Sequence, residues 1–121
     1  MKQLFALVAC LAMPAFADGH RSSDVILDHA GMKALLSGKT VTFFDGSKST
    51  YSSDGTYGYT YTDDGPVWRG QYTLDDNSRV CVVFDNEETR CDMFVMDGDR
   101  AILITRDGTR FPVRNLTVSQ Q

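Results

Sequence analysis

The chain is short of the residues that carry most hydrolytic and metal chemistry. It has two histidines, His20 and His29, and none beyond them. Ser–His–Asp and Cys–His arrangements need an imidazole beside the nucleophile, and the long C-terminal part has none to offer. There are three cysteines and no Cys-x-x-Cys, a pattern unlike the short paired spacings of structural zinc. No Gly-rich phosphate loop lies between a strand and a helix. The paired acids Asp63-Asp64, Asp75-Asp76 and Glu87-Glu88 fall at turn positions, where carboxylates are solvated rather than converging in a glycosidase cleft. The expectation is therefore that the protein is not an enzyme.

Long apolar runs are also missing. The longest, Leu4 to Met13, follows Lys2 and is followed by Pro14 and Ala15-Phe16-Ala17. A basic start, a short apolar run and small residues at the −3 and −1 positions form a signal-peptide pattern. The run is well short of the roughly 20 residues that cross a bilayer, and no transmembrane segment is expected. The expected boundaries are a signal peptide over 1–17, cleaved after Ala17, an N-terminal tail over 18–27, one β domain with a short leading helix over 28–115, and a C-terminal tail over 116–121. Leu7-Val8-Ala9-Cys10 gives a rival reading as a lipoprotein cleaved before Cys10. It would leave Ala15-Phe16-Ala17 unexplained. The expected location is periplasmic or secreted.

Without residues 1–17 the chain has 11 Lys and Arg against 16 Asp and Glu, a net charge of −5. A mildly acidic chain with scattered cations argues against nucleic acid and against an anionic membrane surface. The protein is expected to be a monomer.

What the sequence does have is β pattern and turns. Asp28 can cap a short helix that places Met32, Leu35 and Leu36 on one face, with Gly38 at its C-terminal left-handed position. From Thr40 onward the pattern has period two. Asp-Gly occurs at 45–46, 54–55, 64–65, 97–98 and 107–108, a hairpin signal because both residues tolerate positive φ. The irregular spacing of these pairs does not fit tandem calcium repeats, and no segment meets the EF-hand requirements. Eight short strands are predicted: Thr40–Phe44, Lys48–Ser52, Thr56–Thr62, Val67–Leu74, Arg79–Phe84, Thr89–Met96, Arg100–Thr105 and Arg110–Val113. Short connections make them an antiparallel meander. Closing it as a small barrel or as two packed sheets removes exposed edges and covers the apolar face. A packed interior is expected rather than a roomy cavity.

Cys81 and Cys91 lie in "RVCVVFDNEETRC". With a turn centred near Asn86 they face each other across two antiparallel strands, within disulfide reach. Export leads to an oxidising compartment, and the pair is read as a structural disulfide.

Two stretches suggest binding. In "TYGYTYTDDGPVW", Tyr57, Tyr59 and Tyr61 share one face of a strand, and Trp68 and Tyr72 fall on the strand predicted beside it. These five residues form either core or an exposed aromatic surface for a protein, peptide or glycan partner. Cleavage after Ala17 would also leave Asp18-Gly19-His20 at the N-terminus. The amine, two amides and a third-position imidazole can hold Cu(II) or Ni(II) in a square plane of nitrogens, resembling the amino-terminal site of serum albumins.

"MKALLSGKTVTF", "YSSDGT" and "WRGQYTLDDNSRVCVVF" followed by a second cysteine resemble a pattern in a family of small secreted proteobacterial proteins. In that family a short helix ends in Leu-x-Gly-x-Thr and leads into a β-meander with a cysteine pair. The resemblance runs from about Gly31 to Val113. It implies export and the β fold, and carries no activity or site. The functional expectation is an exported binding module. A Cu(II)- or Ni(II)-binding protein is the alternative, and a hydrolase inhibitor or ligand-carrying barrel the third.

Overall fold

The computed structural model describes residues 20–119, in one short helix and nine strands. The expected signal peptide, Cys10, Asp18 and Gly19 lie outside the described residues. Strand β1 (Val25–Ile26) precedes helix α1 (His29–Leu36). Then come β2 (Lys39–Phe43), β3 (Lys48–Tyr51), β4 (Thr56–Thr60), β5 (Trp68–Leu74), β6 (Arg79–Phe84), β7 (Thr89–Asp97), β8 (Arg100–Ile104) and β9 (Arg110–Val118). From β2 to β9 every strand pairs antiparallel with the next, and β9 returns to β2 through Lys39↔Val118, Thr40↔Thr117 and Val41↔Leu116. The result is an eight-stranded, up-and-down antiparallel barrel with one extra strand. Closure leaves no open edge among those eight strands.

Three of the Asp-Gly turns are built alike. Each has Ser or Thr after the glycine, and the aspartate Oδ1 accepts from both the backbone N–H and the hydroxyl of that residue. This holds for Asp45 with Ser47, Asp54 with Thr56 and Asp107 with Thr109. The glycine between them sits at positive φ (92° at Gly46, 95° at Gly55, 89° at Gly108), where a side chain would cost energy. The β6–β7 turn copies this geometry with different residues. Asn86 Oδ1 accepts from Glu88 N, and Glu87, at φ 77°, takes the place the glycine has elsewhere.

Helix α1 closes one end of the barrel. Asp28 caps it by accepting from Gly31 N at 2.8 Å, and Gly38 ends it at φ 77°. Met32 and Leu36 are fully buried against the interior, and Leu35 is half-buried beside them. They meet a core that includes Val41, Phe43, Tyr51, Val82, Phe94 and Leu103.

Three features lie beyond the predicted boundaries. Leu116, Thr117 and Val118, expected as part of a loose tail, belong to β9 because β2 supplies a partner along their whole length. In the segment expected as N-terminal tail, Val25 and Ile26 pair with Met96 and Val95 of β7, beyond the point where β6 has ended. Fully buried Ser78 joins the three strands. Its Oγ accepts from Leu27 N at 2.6 Å, its N–H donates to Leu27 O, and its carbonyl accepts from Phe94 N. Asp24, just before β1, is also buried. Its carboxylate receives both Nη atoms of Arg110 at 2.7 and 2.9 Å and the Arg21 N–H at 2.7 Å. The Arg110 hydrogen bonds, opposed by burial, hold the Asp24 carboxyl down at about 2.

Candidate functional site

The end of the barrel opposite α1 is open. Because α1 leads into β2, it sits where β2 begins, with the β3–β4, β5–β6 and β7–β8 turns. The β2–β3, β4–β5, β6–β7 and β8–β9 turns surround the other end. A cleft of about 800 Å³ opens there, walled by Tyr57, Tyr59, Tyr61, Trp68, Phe84 and Phe111. The interior is thus packed over its helix-side half and hollow at the mouth, where the sequence suggested packing throughout.

Strand alternation and register put the rings there. Tyr57 and Tyr59 point inward from β4, and Tyr61 follows just past its end. Trp68 is directly opposite Tyr59, and Gly70 directly opposite Tyr57. Glycine at 70 is required by close approach: a Cβ there would lie 2.4 Å from the Val83 carbonyl oxygen and 2.8 Å from Phe84 Cα.

The rings grade from core to solvent. Tyr51 packs on Phe94 at 6.1 Å and on Tyr57 at 5.1 Å between centroids, and Tyr57 meets Phe84 edge-on at 5.8 Å. Higher up, Tyr59 and Tyr61 meet edge to face at 4.9 Å. Tyr57 is 9 % exposed, Trp68 49 % and Tyr61 64 %. Burial pushes the Tyr57 phenol up to about 12, against the opposing hydrogen bond with Ser49. The Tyr57 hydroxyl lies 3.0 Å from Ser49 Oγ.

Two charged side chains point into the same space from β7. Cys81 is opposite Cys91, and the neighbouring pairs Val80↔Asp92 and Val82↔Arg90 face inward. Arg90 Nε donates to Asp92 Oδ2 at 2.7 Å. The Asp92 side chain is 13 % exposed and that of Arg90 49 %. Burial pushes the Asp92 carboxyl up, while the hydrogen bond from Arg90 pulls it down. The Nη atoms of Arg90 have no hydrogen-bond or ion-pair partner among the described residues.

On the lip stand Glu88, Arg106 and Asp107. Asp107 is a turn residue: Thr105 and Thr109 occupy its Oδ1, and these hydrogen bonds, that of Thr105 foremost, lower its pKa.

Of the five aromatic residues singled out in the sequence, the fold brings Tyr57, Tyr59, Tyr61 and Trp68 to the mouth. They face inward rather than forming a platform on the outer wall. Tyr72 lies elsewhere, its ring against Tyr51 and its hydroxyl donating to Ser52 O at 2.7 Å, toward the α1 end. Phe84, Phe111, Arg90 and Asp92 were not singled out. The signal for the two charged residues was present: once Cys81 and Cys91 are placed opposite one another, Arg90 and Asp92 share a face with the apolar residues Val80, Val82 and Phe84.

The disulfide is formed, with an S–S distance of 2.07 Å and a Cα–Cα distance of 4.0 Å. Of the metal-binding triplet only His20 is described, and it is exposed. Among the described residues no group of three or more His, Cys, Asp and Glu could hold a metal ion. No helix among them is long and apolar enough to cross a membrane. No family model, curated protein or solved structure matches the chain.

Proposed function

We propose that the protein is an exported, extracytoplasmic β-barrel that holds a small amphipathic molecule in its open mouth. The observation that carries this reading is the aromatic cleft. Its volume of about 800 Å³ falls in the range of small-molecule sites, which are mostly apolar with a few placed polar groups. Six rings supply the apolar wall, and Arg90 with Asp92 supplies the polar feature. Tyr57, with Tyr59 and Phe84 packed beside it, is continuous with the core, whereas Tyr61, Trp68 and Phe111 stand outside it and are exposed, so core packing does not account for them. A cysteine pair joined as a disulfide supports an oxidising compartment. The cleft favours the carrier over an inhibitor that would present an outer surface.

Trp68 is the sole tryptophan and stands on the rim, so its fluorescence reports on the cleft. The dye N-phenyl-1-naphthylamine should quench Trp68 and gain emission through energy transfer. Tyr59→Ala should weaken its binding about tenfold, the scale of one lost aromatic contact. No energy transfer at the solubility limit of the dye, or binding indifferent to Tyr59, refutes the proposal.

A further inference from the structure

The cleft contains one polar group set apart from the rest. The Arg90 side chain points into it between aromatic walls, and its Nε is taken by Asp92. That bond anchors the guanidinium by its Nε side. It leaves the edge formed by the two Nη atoms without a partner among the described residues. A guanidinium only donates hydrogen bonds, so whatever meets this edge must be an acceptor. Two parallel N–H groups in a plane match the two oxygens of a carboxylate.

We infer that the mouth takes an amphipathic carboxylate, its apolar body against Tyr57, Tyr59 and Trp68 and its carboxylate on the Nη edge of Arg90. This rests on the ligand-binding reading of the cleft. Asp92 is the positioning residue. It orients the guanidinium and, being almost covered, leaves the more exposed Arg90 as the charge that the cleft presents. The other two acids, Glu88 and Asp107, are exposed on the lip, where solvent and salt screen their charge, and neither pairs with Arg90. A cationic ligand would find the Arg90 charge between itself and the Asp92 carboxylate.

The test uses three naphthyl compounds of one shape: 2-naphthoate, neutral 2-naphthamide and 2-naphthylmethylammonium, titrated by calorimetry and by displacement of N-phenyl-1-naphthylamine. The folded protein should bind 2-naphthoate about tenfold more tightly than 2-naphthamide, the scale of a charge-assisted pair of hydrogen bonds. Arg90→Gln should weaken 2-naphthoate binding about tenfold and so bring it level with 2-naphthamide. The double variant Arg90→Gln/Asp92→Asn, which leaves no unpaired buried charge, should give the same loss. Equal binding of the naphthoate and the amide by the unaltered protein, a preference that survives Arg90→Gln, or tightest binding of the ammonium compound each overturns the inference while leaving the cleft as a ligand site. Failure of the dye and all three compounds to bind refutes the ligand-binding reading itself.

Discussion

Replacing both cysteines, Cys81→Ala with Cys91→Ala, should cost about 2.7 kcal/mol at 25 °C. The figure follows from the sequence separation of 10 residues and the chain-entropy cost of closing such a loop in the unfolded chain. Little native-state packing is lost at the same time, because Cys91 is exposed and Cys81 only half-buried on the outer wall. The hairpin register is also held without the bond, by the ladder from Arg79↔Met93 to Val83↔Thr89. The assay is urea unfolding followed by Trp68 fluorescence, with a chevron for the oxidised protein and the double alanine variant. For a domain of this size the loss corresponds to a fall in Tm of roughly 10–20 °C. Since the bond acts on the unfolded ensemble, refolding should slow and unfolding should keep its rate. A loss below about 1 kcal/mol, against the 2–4 typical of such bonds, or one appearing wholly in the unfolding rate, would refute the reasoning and place the contribution of the disulfide in the native barrel.

Gly70→Ala should destabilise by about 3 kcal/mol, because the new Cβ meets backbone atoms of Val83 and Phe84 that no side-chain rotation can clear; thermal unfolding measures it. Glu87→Gly should stabilise by about 0.5 kcal/mol, the relief of a left-handed residue less the extra freedom of glycine in the unfolded chain; an unchanged or lowered urea midpoint contradicts this. Asp24 has a folded pKa of about 2 against roughly 3.9 unfolded. A lowered pKa stabilises the folded state above the unfolded value, so this contribution is complete above about pH 4 and disappears as the pH falls through 2. The difference in stability between the protein and Asp24→Asn, measured from pH 6 to pH 2, should shrink over that window, and a constant difference refutes it.

Much of the barrel was legible because its determinants are local. Alternation marked the strands, and Asp-Gly marked turns, three of which close with hydrogen bonds between residues two apart. The cysteine pairing followed from centring one turn at Asn86. What escaped depends on partners remote in sequence. Two residues, Val25 and Ile26, have no periodicity to display, and they form a strand only because β7 outruns β6. Leu116 to Val118 read as a loose tail until β2 is beside them. Alternation also states that Tyr57, Tyr59 and Tyr61 share a face without saying which face is inside; closure of the barrel decides that. Arg90 and Asp92 went unnoticed because charge in a strand ordinarily marks the wet side, whereas the inner wall here becomes wet toward the mouth.

Every ladder from β2 to β9 joins neighbours in sequence except one, the seam where β9 meets β2. During synthesis, hairpin after hairpin can form as each turn leaves the ribosome, but the sheet stays an open ribbon until Asn115 to Val118 have been made. Val41, across the seam from Leu116, has to wait for the last strand. The final residues of β9 therefore act as the clasp of the molecule, and until they arrive the chain can be threaded, held or degraded as a ribbon with both of its long edges unpaired.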